Sequence, residues 1–276
     1  MENYLKLKSD FVFCETLKIH QIAPGTRIAS SLSCIEILVS LYYGKLIIFD
    51  PENVYSDKRD RVIISKGHGS ICLYPILADN GFFKLDELKN VGKDGSFLGT
   101  IPDPIIPGYE TINGSLGHGL GVATGVSLAM KKNNVNNNAI VLCGDGELYE
   151  GSNWEAIMFA AHHCLDNITL IVDFNKASML DFNKNIIDLT PLEDKFSVFG
   201  WNTYYIENGH NVNEVYNSLK DIIPLRSKKP KVVIVNTIKG NKIKKLLNNP
   251  LSHILSLNSE EIDVILSDEN TRKINE

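Results

Sequence analysis

The sequence predicts an α/β fold, a doubly wound, mostly parallel sheet with helices on both faces. Short apolar runs alternate along the chain with longer amphipathic segments, which is the order of βαβ units with parallel strands. The apolar runs are also too uniformly hydrophobic for strands with one face in water. Helices are therefore expected to cover both faces of the sheet.

Local signals place the elements along the chain. The first helix is predicted at Leu5–His20, where apolar residues lie on or near one face and Pro24-Gly25 follows as a breaker. A later helix begins near Gly117 and carries glycine or alanine at every fourth position. Apolar composition and flanking turn residues predict further strands at 61–65, 139–143, 167–173 and 231–236, and helices at 71–80 and 212–219.

Two helices are predicted to begin with a capping box. In the S-x-x-E pattern, the serine and the glutamate satisfy the free N–H groups of the first helical turn. Ser33 and Glu36 have this spacing before a helix that reaches about Tyr43, and Ser152 and Glu155 have it before another.

The chain is organised around the βαβ unit from Asn138 to Asn175. Gly144-Asp145-Gly146 ends its first strand, and Asn175 follows its second. Because the carboxyl ends of neighbouring parallel strands open on one edge of the sheet, Asp145 and Asn175 are expected to lie close together. A carboxylate and an amide oxygen suit Mg²⁺ or Ca²⁺, with phosphate oxygens completing the shell. The alternative is an ordinary Gly-Asp-Gly turn with an unrelated asparagine.

Length, charge and cysteine content limit the class of protein to which this sequence can belong. The 276 residues suffice for one large domain, predicted at 1–255 with a polar C-terminal tail at 256–276. A net charge of −5 gives no reason to expect nucleic acid or an anionic membrane as a partner. No apolar run is long enough to span a bilayer. The five cysteines form no C-x-x-C pair, which indicates free thiols in the cytoplasm.

The residues of the central unit resemble a known family. Gly144-Asp145-Gly146 followed by Asn175 looks like the thiamine diphosphate motif, and the surrounding sequence is similar to the amino-terminal subunit of split bacterial transketolases. The likeness runs from Ser30 to His253 and implies a helix and a strand within 192–206. It implies the diphosphate-binding (PP-type) domain of the thiamine diphosphate fold. The implied reaction is transfer of a two-carbon ketol unit from a ketose-type donor to an aldehyde.

The resemblance also assigns roles to residues. Asp145, Asn175 and the backbone carbonyl of Ala177 would bind the metal ion. His68, in a Lys-Gly-His turn, and His253 would be catalytic and handle protons or hydrogen bonds of the substrate. Glu150 would assist the glutamate of a second domain at the interface. The implied cofactor-binding set is Gly114, Ser115, Leu116, Gly144, Asp145, Gly146, Glu147, Asn175 and His68.

Three positions depart from the family pattern on the substrate side. Arg27 and Ile101 stand where histidines are usual, and Ser178 stands where glutamine is common. These changes put the donor in doubt, although not the cofactor. They leave open a 2-oxoacid decarboxylase or carboligase, or a cofactor-binding regulatory subunit. A nucleotide-binding dehydrogenase is disfavoured because no G-x-G-x-x-G follows the first strands.

The resemblance further implies a partner. The aminopyrimidine-binding domain of these enzymes has no counterpart in these residues, so a separate C-terminal, transketolase-like subunit is expected, in an α2β2 assembly. The substrates would be small sugars or oxoacids. The lysines of Lys239–Lys245 are interpreted as a solvated face.

Overall fold

The computed structural model describes residues 1–112 and 114–275, and these form a central sheet flanked by helices. The sheet has five strands in the order β1-β2-β3-β5-β4, and every neighbouring pair is parallel. The predicted pairing of the two strands of the central βαβ unit is confirmed. The strands are β1 Arg61–Ile64, β2 Ala139–Gly144, β3 Ile168–Phe174, β4 Asn202–Ile206 and β5 Lys231–Asn236.

Helices connect the strands and cover the sheet. The α-helices are α1 Glu2–Ile22, α2 Ile28–Leu32, α3 Ile35–Tyr42, α4 Leu73–Asp79, α5 Gly119–Lys132, α6 Gly151–His162, α7 Asn183–Ile186, α8 Leu192–Val198, α9 Val212–Ile222 and α10 Ser259–Asn275. Short 3₁₀ turns lie at Gly67–Gly69, Leu85–Asn90 and Gly146–Tyr149. None of the helices in the described ranges is both long and apolar enough to span a bilayer.

Each face of the sheet has its own hydrophobic core. Along β2, Ile140 and Leu142 pack with α1, α3, α4 and α9, whereas Val141 and Cys143 pack with α5, α6 and α8. Successive side chains of a strand point to opposite faces, so a strand that is apolar throughout feeds both cores. The predicted doubly wound α/β fold is confirmed.

Neither predicted capping box forms. Both α3 and α6 begin without a side-chain cap. The Ser33 hydroxyl instead donates to the carboxylate of Asp173 at 2.5 Å, and the Ser152 hydroxyl donates to the carbonyl of Gly117 at 2.8 Å. Tertiary contacts thus compete with the local pattern for the same hydroxyls. Each serine therefore links its helix to a loop or strand at the edge of the sheet.

The segment 256–276 was predicted to be a polar tail, and this needs correction for its first part. Helix α10 begins at Ser259, and Leu257 and Ile262 are buried in the same core as α1. Gln21 of α1 also donates to the Asp263 carboxylate at 2.9 Å. Because two apolar side chains at the start of the segment reach the core, the packed domain continues past residue 255.

A buried lysine lies at the amino end of β5, on the edge of the sheet opposite the predicted site. Lys231 begins β5 and is fully buried. Its ammonium group donates to three backbone carbonyls, those of Asp166 at 2.8 Å, Ile223 at 3.0 Å and Leu225 at 2.8 Å. An ammonium group has three N–H donors, so the three carbonyls match it fully. Lys231 thus holds the end of α9 against the loop before β3.

We expect Lys231→Met to lower the free energy of unfolding by about 2 kcal/mol or more, because a buried carbonyl without a donor costs about 1–3 kcal/mol. Urea denaturation followed by circular dichroism measures this change. Lys229→Met, at an exposed lysine two residues earlier, is the matched control and should leave the midpoint unchanged. Equal midpoints for the two variants would contradict the structural role of Lys231.

Candidate active site at the carboxyl edge of the sheet

Asp145 lies at the centre of the candidate site, at the carboxyl end of β2. It is 4% exposed, and its backbone N–H donates to the carbonyl of Asp173 on the neighbouring strand. Its carboxylate accepts the N–H of Gly146 at 2.8 Å and the N–H of Lys176 at 2.5 Å. Burial, and then the nearby Asp173 carboxylate, raise the pKa of Asp145 to about 7. A cation beside Asp145 would offset both effects.

Asn175 and Ala177 follow β3 and face the same edge. The amide oxygen of Asn175 accepts the N–H of Ala177 at 3.2 Å. The amide nitrogen of Asn175 donates to the Asp173 carboxylate at 3.2 Å. Lys176 between them has a φ of 63°, a left-handed conformation that turns the chain sharply after the strand. This turn brings Asn175 and Ala177 to the side of Asp145, as the sequence predicts.

A buried ion pair lies beneath these residues. Lys66 is 1% exposed and contacts Asp173, which is fully buried. Burial alone would lower the pKa of Lys66 and raise the pKa of Asp173. The opposite charge and the hydrogen bonds to these groups together outweigh burial, so the pKa of Lys66 lies above its usual value and the pKa of Asp173 below. Both groups are therefore charged at neutral pH. Ser33 and Thr237 also donate to the Asp173 carboxylate.

Lys239 is buried, which corrects the prediction that it lies on a solvated face. It is 6% exposed. Its ammonium group donates to the carbonyls of Ala177 at 2.8 Å and Ser178 at 2.7 Å. Burial lowers the pKa of Lys239 to about 8. The lysine lies shortly after β5, so the topology carries it to the carboxyl edge with the other site residues. Its local sequence is polar and gives no sign of this burial.

Glu147 fixes the loop that the family resemblance assigns to the cofactor. Its carboxylate is buried and accepts the N–H groups of Gly117 at 2.8 Å and Gly144 at 3.2 Å, as well as the hydroxyl of Ser65. Gly117 has a φ of 85°, and a Cβ there would lie 2.5 Å from the Cβ of Glu150. Only glycine fits this position. The buried glutamate thus binds the loop before α5 to the end of β2.

His68 and His253 meet although they are far apart in sequence. Their ring centroids are 4.9 Å apart, and Nδ1 of His253 lies 3.4 Å from the Ser30 hydroxyl oxygen. Burial, then the charge of Lys66, lowers the pKa of His68 well below its usual value. Burial, then the charge of Lys239, lowers the pKa of His253 to about 4. Both imidazoles are therefore neutral at pH 7 and able to donate or accept a hydrogen bond.

Most of the remaining predicted residues are exposed. Glu150 is exposed at the start of α6, and Gly114 and Ser115 are exposed in the loop before α5, with Leu116 half-buried. Arg27 is exposed at the start of α2, close enough for its charge to lower the pKa of His253.

Two further substrate-side residues have different surroundings. Ile101 is 49% exposed in the loop after Gly99. Ser178 lies against the glycine turn, since its hydroxyl would be 3.3 Å from a Cβ at Gly146. The structure thus brings Ser178 to the centre of the site and gives Ile101 a more exposed position.

The chemistry of this edge suits a hard cation and an anion. Within 1–112 and 114–268, where side chains are described, no group of three or more histidine, cysteine, aspartate or glutamate side chains could hold a metal ion. The predicted ligands differ from such a group, because they combine one carboxylate with an amide and a carbonyl oxygen. Lys239 lies against the Ala177 and Ser178 carbonyls, and a cleft of about 680 Å³ opens beside Asn175.

Two residues that build the site were not predicted from the sequence. Asp173 is the sixth residue of β3 and Lys66 follows β1, and neither belongs to the predicted set of site residues. Their positions carried a usable signal, because charged residues are rare at the ends of fully buried strands unless they are paired. An aspartate and a lysine at the carboxyl ends of two parallel strands are natural candidates for such a pair.

Comparison with known families agrees with this geometry. The chain matches the family model for "Transketolase, thiamine diphosphate binding domain" over residues 18–268. It is 36% identical over 234 residues to the 6-deoxy-6-sulfo-D-fructose transketolase subunit SqwG of Clostridium sp. (strain MSTE9), with 84% of each chain covered. It is 38% identical over 245 residues to an apulose-4-phosphate transketolase subunit of Actinobacillus succinogenes, covering 88% of this chain and 87% of that protein.

Solved structures give the same result for the fold. The transketolase of Campylobacter jejuni superposes with a TM-score of 0.88 at 27% identity. The match covers 98% of this chain and 43% of that enzyme, so the chain spans less than half the length of the solved transketolase. The family and the transferase class predicted from the sequence are confirmed. The chain belongs to the transketolase family and corresponds to its thiamine diphosphate-binding domain.

Proposed function

We propose that this chain supplies the diphosphate-binding half of a two-subunit transketolase, which transfers a two-carbon ketol unit from a ketose to an aldehyde. The observation that carries the proposal is the meeting of Asp145, Asn175 and Ala177 at one edge of the sheet, beside the His68–His253 pair. The two relatives named above, both transketolase subunits of similar length, support this proposal.

The proposed metal ion is Mg²⁺ or Ca²⁺, bound by the Asp145 carboxylate, the Asn175 amide oxygen and the Ala177 carbonyl. The donor set consists of hard oxygen atoms, which suits these ions. The raised pKa of Asp145 also fits, because a bound cation would offset the burial and the neighbouring Asp173 carboxylate that raise it. Lys239 already donates to the carbonyl of Ala177. A carbonyl oxygen has a second lone pair, so the lysine fixes its position without using up its capacity.

Thiamine diphosphate, when bound, would supply a nucleophilic carbon and an electron sink for carbon–carbon cleavage. The residues of this chain would do the rest. Arg27 and Lys239 contribute positive charge near this edge, which favours a diphosphate. Glu147 holds the loops around it. His68 and His253, both neutral, would hydrogen-bond the hydroxyl and carbonyl oxygens of the sugar and direct their protons.

The proposed partner is a separate pyrimidine-binding, transketolase-like subunit, in an α2β2 assembly in the cytoplasm. Both relatives are named as subunits of a transketolase, which supports a second component. The exposed carboxylate of Glu150 at the start of α6 would face that component. The five free cysteines fit a reducing compartment.

The proposed donor is an anionic ketose other than the common sugar phosphates. Both relatives act, by their names, on an unusual sugar that carries a sulfo or phosphate group. Arg27 offers a permanent charge and a planar fork of donors beside His253. Ile101 offers no hydrogen bond. The same two residues favour a 2-oxoacid as the second candidate donor.

We expect Asp145→Ala and Asn175→Ala each to abolish Mg²⁺-dependent binding of thiamine diphosphate, because either change leaves the ion under-coordinated. Calorimetric titration of the two-subunit complex with and without Mg²⁺ measures this. Asp221→Ala, at an exposed carboxylate of α9, is the control and should bind as the wild type does. Unchanged affinity in both site variants would remove the metal assignment.

The purified chain alone is expected to transfer no ketol unit and to bind thiamine diphosphate weakly, because only the diphosphate half of the site is present. A coupled assay of the chain with and without a co-purified pyrimidine-binding subunit tests this. Robust transfer by the single chain, with the second subunit shown to be absent by mass spectrometry, would overturn the two-subunit proposal.

We expect xylulose 5-phosphate to be a poor donor and Ile101→His to improve it. Ile101 is half-exposed in this chain. A donor hydroxyl that the two-subunit complex buries against it stays unpaired at a cost of about 1–3 kcal/mol, which corresponds to roughly ten- to hundredfold in kcat/KM. The measurement is kcat/KM of the two-subunit complex for a panel of ketose phosphates, sulfonated ketoses and 2-oxoacids.

The control for this panel is Ile105→His, at another exposed isoleucine in the same loop, which should change no donor preference. The proposal is wrong if xylulose 5-phosphate is the best donor by a wide margin and Ile101→His leaves it unchanged. A clear preference for 2-oxoacids would instead select the second candidate donor.

A further inference from the structure

The side chain of Asn175 has two ends, and only one of them suits a cation. The amide oxygen is a ligand for a hard metal ion, whereas the NH₂ group is a donor with no lone pair to offer. A rotation of the amide by half a turn exchanges the two. A metal site that includes Asn175 therefore needs a neighbour that fixes which end faces the ion.

Asp173 is placed to fix this orientation. Its Oδ2 accepts a hydrogen bond from Nδ2 of Asn175 at 3.2 Å. On the other side, Oδ1 of Asn175 accepts the N–H of Ala177 at 3.2 Å. An ionised carboxylate only accepts hydrogen bonds, so a flipped amide would set two acceptors against each other at Asp173 and two donors against each other at Ala177. Both contacts favour the same rotamer.

Hydrogen bonds from several elements hold the Asp173 carboxylate in place. Lys66 and Ser33 donate to its Oδ2, and Thr237 donates to its Oδ1. Lys66 also donates to the carbonyl of Ser30 at 2.9 Å. These contacts join α2, the turn after β1 and the end of β5 to the strand that carries Asp173. The carboxylate is thus both charged and fixed in position.

We propose that Asp173, held by Lys66, is a positioning residue that turns the amide oxygen of Asn175 toward the metal ion. This inference rests on the metal site of the proposed function and deepens it. Asp173 acts through Asn175 and is not itself a ligand. Its removal should therefore weaken metal binding only as long as Asn175 is present.

The test uses Mn²⁺ as the metal probe and inorganic pyrophosphate as the diphosphate probe, with bound Mn²⁺ followed by electron paramagnetic resonance on the full chain. We expect Asp173→Leu, which removes the acceptor at this position, and Asn175→Ala each to weaken Mn²⁺ binding at least tenfold. The double variant should be no weaker than Asn175→Ala alone. If the two losses multiply in the double variant, or if Asp173→Leu binds Mn²⁺ as the wild type does, the positioning role is wrong.

A second variant keeps the test decisive if Asp173→Leu does not fold. That change leaves the Lys66 charge buried without a partner, which is strongly destabilising. The double variant Lys66→Met/Asp173→Leu removes both charges and the acceptor, and its folding is checked by thermal unfolding. We expect the same tenfold loss of Mn²⁺ in this folded variant, and wild-type affinity would overturn the inference.

The Asp145→Ala variant distinguishes failure of this inference from failure of the proposed metal site. If Asp145→Ala loses Mn²⁺ binding while Lys66→Met/Asp173→Leu retains it, the metal site stands and the positioning role falls. If Asp145→Ala binds Mn²⁺ as the wild type does, the metal site falls and the inference falls with it.

Discussion

The buried ion pair between Lys66 and Asp173 is the interaction on which the site depends. Taking two charges out of water costs several kcal/mol per ion by order of magnitude, and only good geometry with further hydrogen bonds repays it. The structure meets this condition, since Asp173 has additional donors and Lys66 an additional acceptor. A network of this kind is weak evidence for stability. Its evident effect is to fix four chain segments in one arrangement, at the edge where ligands bind.

The parallel sheet explains why these segments can meet at all. Residues 33, 66, 173 and 237 are far apart in sequence, yet each lies at or beyond the carboxyl edge of the sheet or on a helix packed against it. Parallel strands place all their carboxyl ends on one side. The polar centre of the domain is therefore created by the packing of distant elements and not by a local sequence motif.

Much of the fold could be predicted from the sequence. Strands β1, β2, β3 and β5 are largely apolar on both faces, so their positions and their burial on both sides follow from composition. Strand β4 is only partly buried, and the family resemblance was needed to place it. The Gly-Asp-Gly turn and Asn175 could also be placed, because both follow directly from the ends of strands. Family, fold and cofactor class then followed from the residues of one βαβ unit.

The sequence did not reveal which acceptors the hydroxyl and ammonium groups would hydrogen-bond. Ser33 and Ser152 have the spacing of a helix cap, but each donates its proton to a distant acceptor. Lys239 stands in a polar stretch, yet it is buried against two carbonyls. For the two serines, a tertiary partner outweighs a capping preference worth about 1 kcal/mol. Such partners are invisible until the strands are in register.

Glu147 and Glu150 belong to one short motif, but their side chains have different surroundings and different roles. Glu147 and Glu150 are three residues apart, and in a continued 3₁₀ turn they would lie on the same side. The turn ends at Tyr149, however, and Glu150 has an extended conformation with ψ of 122°. Glu147 therefore points inward and is surrounded by donors of its own chain, while Glu150 points outward. Because the backbone changes conformation between them, Glu147 stabilises the loops of the site, whereas Glu150 remains exposed and available to a partner.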